Sequence, residues 1–119
     1  MTMTSRLVLF PLTVAVIAIS SLVVVTKAKA HDAPSGWSYP QICCSGRDCA
    51  PVDEKYITEK ADGYHVDLPA GSHPQLIKQN YSAVIPYDAA KDSPDGMAHI
   101  CLAYEGTHRF CFFMPPKGY

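Results

Sequence analysis

The sequence predicts a small, mainly β domain of about five strands. The expected form is a twisted antiparallel sheet or partly open barrel, held by disulfides and preceded by an apolar signal or anchor helix. Three observations point there. Residues 31–119 carry five cysteines, nine prolines and seven glycines, the composition of a loop-rich, cross-linked domain too small to rely on its apolar core alone. Proline and glycine recur along these residues, which suits short strands better than long helices. The closing stretch, Met97 to Met114, sets two segments around a Glu105-Gly106-Thr107 turn, with bulky apolar residues on one face and the cysteines on the other, as a hairpin does.

The first thirty residues stand apart. Leu7 to Val25 is a run of 19 residues without a charge, preceded by Arg6 and followed by Thr26-Lys27-Ala28-Lys29-Ala30. A positive flank, an apolar segment and a small-x-small exit form an export signal, with cleavage expected between Ala30 and His31. The run also approaches the ~20 residues that span a bilayer, so an uncleaved anchor, with residues 7–25 as the only membrane contact, is the alternative. In both readings residues 31–119 form one domain facing an oxidising compartment, periplasmic or extracellular.

That domain carries seven basic residues against eleven acidic ones, a net charge of −4 with no basic stripe, which argues against a nucleic-acid partner. No glycine-rich phosphate loop is present either. His31 to Gln41 reads as an extended lead-in with Trp37 and Tyr39 as packing plugs. Ala50 to Lys60 reads as one strand with a bulge, Ala61-Asp62-Gly63 as a turn, and Tyr64 to Leu68 as its hairpin partner. Pro69 to Gln79 is a loop or a single helical turn. Tyr81 to Tyr87 is a third strand ended by Pro86, and Ser93-Pro94-Asp95-Gly96 has the residues of a tight turn. With Gly106 at the centre of the last hairpin, facing residues have numbers summing to 212. Ile100, Leu102 and Tyr104 then share a core face with Phe110, Phe112 and Met114. Cys101 faces Cys111 on the opposite side, where another segment docks.

Cys43, Cys44 and Cys49 lie within seven residues; Cys101 and Cys111 lie on the hairpin. In an exported chain these are first disulfide candidates. Two bonds from the 43–49 loop to the hairpin would close loops of roughly 50–70 residues, each contributing ~2–4 kcal/mol. A direct Cys101–Cys111 bond is the alternative; a vicinal Cys43–Cys44 bond would strain its peptide. One thiol is left over in any two-bond scheme. Cys44 is the expected one, because Cys43 and Cys44 cannot both face the hairpin. It would be a buried inert residue, an intermolecular disulfide to a protein partner, or a redox-active thiol.

Metal readings come from the histidines. His99-x-Cys101 places two ligand types on one strand face, although no paired Cys spacing of the zinc type exists. If cleavage follows Ala30, the free amine and imidazole of His31 can chelate a copper ion, completed by one further histidine: His65, His73 or His99. Weaker signals are the Asn80-Tyr81-Ser82 sequon, the Asp88, Asp92 and Asp95 cluster without calcium-loop spacing, and the carboxylate pairs Glu54/Glu59 and Asp62/Asp67. No catalytic residues and no resident cofactor are expected, with copper at His31 as the alternative.

His31, Trp37, Tyr39-Pro40, Cys43-Cys44-Ser45-Gly46-Arg47-Asp48-Cys49-Ala50-Pro51-Val52, Ser93-Pro94-Asp95-Gly96, His99-Ile100-Cys101 and Cys111-Phe112-Phe113-Met114-Pro115-Pro116 resemble a group of small exported bacterial proteins, mainly of alphaproteobacteria such as rhizobia. The resemblance covers most of residues 31–119 and implies a bacterial exported protein, for which the sequon is irrelevant. It carries over no activity. Some members have a further Cys where this chain has Asp53, which accounts for the odd count. The expected function is a non-catalytic binding or structural module. The alternatives are a copper or other metal-binding protein using His31, and a thiol redox role for the unpaired cysteine.

Overall fold

The computed structural model describes residues 31–44, 46 and 48–117, so the signal or anchor reading of residues 1–30 lies outside the described residues. Among the described residues, seven strands form two sheets. They are β1 (Cys49–Val52), β2 (Ile57–Lys60), β3 (Gly63–Leu68), β4 (Tyr81–Ile85), β5 (Lys91–Asp92), β6 (Ala98–Leu102) and β7 (Arg109–Met114). One sheet has the order β1-β6-β7-β5 and the other β2-β3-β4. All pairings are antiparallel except β5 with β7. The mainly β class holds; the architecture is two sheets rather than one sheet of five strands.

Period-2 patterning explains the main core. Tyr64, Val66 and Leu68 turn inward on β3, and β4 answers them with Tyr81, Ala83 and Ile85. From the four-stranded sheet come Val52, Ala98, Ile100, Leu102 and Phe112, with Leu76 added from the 69–79 loop. β6 is buried at all five positions, because its outward side chains are covered too. A second cluster lies there: Ala33, Tyr39, the five cysteines and Phe113, with Trp37 packed against it. The molecule therefore has three layers: the three-stranded sheet, the four-stranded sheet, and the lead-in with the cysteine-rich loop.

Three expectations are corrected. The single strand over Ala50–Lys60 is two strands in different sheets. The Asp53 carboxylate accepts a hydrogen bond from the Lys55 amide at 2.9 Å, and a 3-10 turn over Glu54–Tyr56 swings the chain from one sheet to the other. The closing hairpin keeps the sum-212 register for His99↔Phe113, Ile100↔Phe112 and Cys101↔Cys111, but Leu102 then faces Arg109. Phe110 is the extra residue of a β-bulge and is turned out, 44 % exposed. Tyr104 also leaves the core face, because a 3-10 turn at Tyr104–Gly106 ends the ladder early. The lead-in is not simply extended either. Ala33 to Gly36 makes a tight turn, closed by an isolated bridge between Asp32 and Ser38.

Candidate functional site: the cysteine–histidine layer

Strand pairing places Cys49 opposite Cys101 and Cys101 opposite Cys111, so three thiols form a row on one face of β1, β6 and β7. The middle one can bond to only one neighbour. It bonds to Cys49, and Cys111 is taken by Cys43 from the layer above. The two bonds span 68 and 52 residues of sequence. The direct Cys101–Cys111 bond is not formed, although the two residues face each other as the hairpin pattern indicates.

Cys44 is left with a free thiol, buried at 2 % exposure. Its Sγ lies 2.9 Å from Nδ1 of His31 and 3.3 Å from the carbonyl oxygen of Gly46. His31 is oriented from its other side, where Nε2 lies 2.9 Å from the backbone oxygen of Cys49. A carbonyl only accepts, so Nε2 carries the hydrogen and Nδ1 presents its lone pair to the thiol. The result is a sulfur and an imidazole nitrogen in contact, with the ring held by a third group. Cys44 also lines a surface cavity of about 160 Å³ with Ile42, Asp48 and the outward-turned Phe110.

Beneath this pair lies a buried polar chain. The Tyr39 hydroxyl is 2.8 Å from His99 Nδ1, and His99 Nε2 is 2.9 Å from the nearer Asp95 oxygen. Asp95 also accepts from Ser35 Oγ at 2.5 Å, Trp37 Nε1 at 3.0 Å and the Met97 amide at 3.1 Å. Burial on its own would raise the Asp95 pKa, but the hydrogen bonds from Ser35, His99, Met97 and Trp37 outweigh it and hold the carboxyl well below the usual range. Tyr39 is pushed the other way, above an ordinary phenol, by desolvation first and then by the proximity of Asp95 and Cys44. An ionised Asp95 takes the Nε2 hydrogen of His99, which leaves Nδ1 to accept from the tyrosine. The side-chain polar groups of Tyr39, His99 and Asp95 are thus all satisfied.

This geometry assigns the histidines. His99 is fully buried with both nitrogens engaged, and the Tyr39 ring packs edge-on against it and at a tilt against His31, at centroid distances of 5.5 and 5.2 Å. His65 sits on Asp62 at 2.7 Å. His73 donates to the Ile100 carbonyl from Nε2 and accepts from the Gln75 amide at Nδ1. His65, His73 and His99 therefore all have other partners; the group placed against His31 is Cys44. Of the acidic cluster, Asp95 turns inward to His99, and among the described residues no three His, Cys, Asp or Glu side chains form a group able to hold a metal. Of the carboxylate pairs, Glu59 is paired with Lys117 and Asp67 accepts from Ser82.

Sequence reasoning missed the roles of Asp95 and His73. The Pro94-Asp95-Gly96 turn signal hid a carboxylate that hydrogen-bonds residues 60 positions away, and His73 had no motif around it. Compared with known proteins, the chain matches no family description, no curated relative and no solved structure.

Proposed function

We propose that this chain works outside the cytoplasm as a non-catalytic, disulfide-stapled binding module of the small exported bacterial group whose motifs it resembles. The observation that carries the reading is the pair of disulfides from the 43–49 loop to β6 and β7. Such bonds form and persist in oxidising compartments and are reduced in a bacterial cytoplasm. Contact would be made through the surface, since a domain of this size has too little volume for a deep pocket.

Fractionation of the native organism, with amino-terminal sequencing and intact-mass analysis before and after alkylation, tests this. The expected product is a periplasmic or secreted chain beginning at His31, with two disulfides and one alkylatable thiol after unfolding. A cytoplasmic chain with five free thiols overturns it.

A second reading is favoured by one specific contact. The 2.9 Å approach of Cys44 Sγ to His31 Nδ1 joins the two residues named by the metal and thiol alternatives, and supports a chemical role for that pair.

A further inference from the structure

We propose that His31 and Cys44 together bind one monovalent copper ion, through Nδ1 and the thiolate sulfur. This deepens the second reading above, and its third donor rests on cleavage after Ala30.

The donors decide the metal. A thiolate and an imidazole are soft and intermediate ligands, the set that favours copper(I) or zinc over calcium or magnesium. Structural zinc wants four protein ligands, whereas the described residues bring only a sulfur and a nitrogen together here. Copper(I) accepts two or three donors, and two are in place.

The pair has the features of a ligand set. The non-ligating nitrogen of His31 donates to the Cys49 carbonyl, the outer contact that fixes ring orientation in metal-bound histidines. That carbonyl belongs to a disulfide-bonded residue in a strand, so the ring is anchored to the most strongly cross-linked part of the fold. The cavity lined by Cys44, Ile42 and Phe110 provides an approach from solvent. Donors ~2.0–2.3 Å from one metal stand about 3.8 Å apart at a trigonal angle and about 4.3 Å apart when linear, so the 2.9 Å pair must open by roughly 1 Å, a movement that falls to the half-exposed His31.

The identity of the facing nitrogen adds a further argument. Cys44 lies at Nδ1, not Nε2, and only Nδ1 can close a six-membered chelate with the α-amine of the same histidine. A chain beginning at His31 would thus offer amine, Nδ1 and thiolate around one point. Binding is written Cys–SH + Cu⁺ → Cys–S–Cu + H⁺; the proton leaves to solvent and no electron moves.

The test uses the chain recovered from its own compartment, with its amino terminus sequenced. It is titrated anaerobically with copper(I) supplied as the acetonitrile complex against a chromogenic copper(I) chelator. The expected result is about one equivalent withheld from the chelator, with one sulfur in the copper X-ray absorption spectrum. Cys44→Ser and His31→Gln should each weaken retention by about a hundredfold while both disulfides persist by mass. A chain retaining Ala30 should lose about tenfold, through loss of the amine donor alone. Should Cys44→Ser fail to fold, the wild type still decides: each copper(I) bound should release one proton and show one sulfur neighbour in its X-ray absorption spectrum. Equal retention by Cys44→Ser, or wild-type binding without a sulfur neighbour or a released proton, overturns the site. Exported, processed, disulfide-bonded protein that releases all its copper sinks this proposal and leaves the export reading standing. Copper retention by unprocessed cytoplasmic protein does the reverse.

Discussion

Asp95 shows how much a single side chain can hold. Its carboxylate accepts hydrogen bonds from Ser35, Trp37, Met97 and His99 while only one-tenth exposed, so it joins the lead-in to the turn before β6. Asp95→Ala leaves those donors without their acceptor and should lower stability by about 2–4 kcal/mol in chemical denaturation with the disulfides intact. Asp95→Asn, which keeps one acceptor oxygen, should cost less. Because folding holds the Asp95 pKa below the ordinary value of 3.8, the unfolded chain takes this proton first as pH falls. The stabilisation is in place above about pH 5 and is lost progressively as pH falls through 3.8 toward the lower folded value, and Asp95→Asn should flatten that part of the acid-unfolding curve. His73 acts at milder pH. Burial lowers its pKa from 6.5, against the opposing hydrogen bond to Ile100 and the charge of Asp48. Protonation would also set a new N–H against the Gln75 amide. Stability should be full above about pH 6.5 and decline as pH falls toward the lowered folded value. His73→Gln, which keeps a donor for the Ile100 carbonyl, should remove that slope. In an NMR titration the His73 ring should be less than half charged at a pH where an ordinary histidine is half charged.

At the scale of elements, close approach and local backbone decide what each strand may contain. Gly63 opens β3 with φ at +135°, and a Cβ there would lie 2.3 Å from the Ile85 carbonyl oxygen on β4. Gly63→Ala should therefore cost about 3 kcal/mol or more, since both backbone strain and a contact with rigid main chain must be relieved. Gly36 has φ at +95° but open space around its Cβ position, so Gly36→Ala should cost only the roughly 1–2 kcal/mol of the left-handed region. Equal losses in parallel denaturation curves would contradict this account of the β3–β4 contact. The bulge in β7 is the other decisive local feature. One extra residue turns Phe110 out to the cavity beside Cys44, while Phe112 stays in the core. Glu105, at φ +53°, works between elements. Its carboxylate accepts from the amides of Ile77, Lys78 and Gln79, pinning the 69–79 loop to the final turn and so holding Leu76 in the core.

For the whole molecule, the Cys43–Cys111 bond holds the outer layer to the four-stranded sheet, the Cys49–Cys101 bond ties β1 to β6 within that sheet, and the two sheets associate through apolar packing. Removing the Cys43–Cys111 bond by paired serine substitution should cost about 2–4 kcal/mol and act first on the lead-in. Trp37, the only tryptophan, packs edge-on against Tyr39, His99 and Phe113, so its emission reports that layer. Under mild reduction Trp37 emission should shift to the red before the far-ultraviolet β signal is lost. Coincident transitions would show that the layers unfold as one unit.

The amino-acid order alone pointed to the β class, the hairpins over 57–68 and 98–114 and Tyr39 as a packing plug, and it favoured a linkage of the early cysteine loop to the last hairpin over a direct Cys101–Cys111 bond. All of these rest on alternation, turn residues or cysteine spacing, which are local and periodic. Only the tertiary structure decided that residues 50–60 divide between two sheets, that Phe110 leaves the core, and which of three cysteines in a row bond together. It also decided that Cys44, not a second histidine, stands against His31, and that Asp95 anchors the lead-in. Those outcomes depend on which side chains from distant segments meet after the sheets have packed, and such meetings leave no period or spacing along the chain.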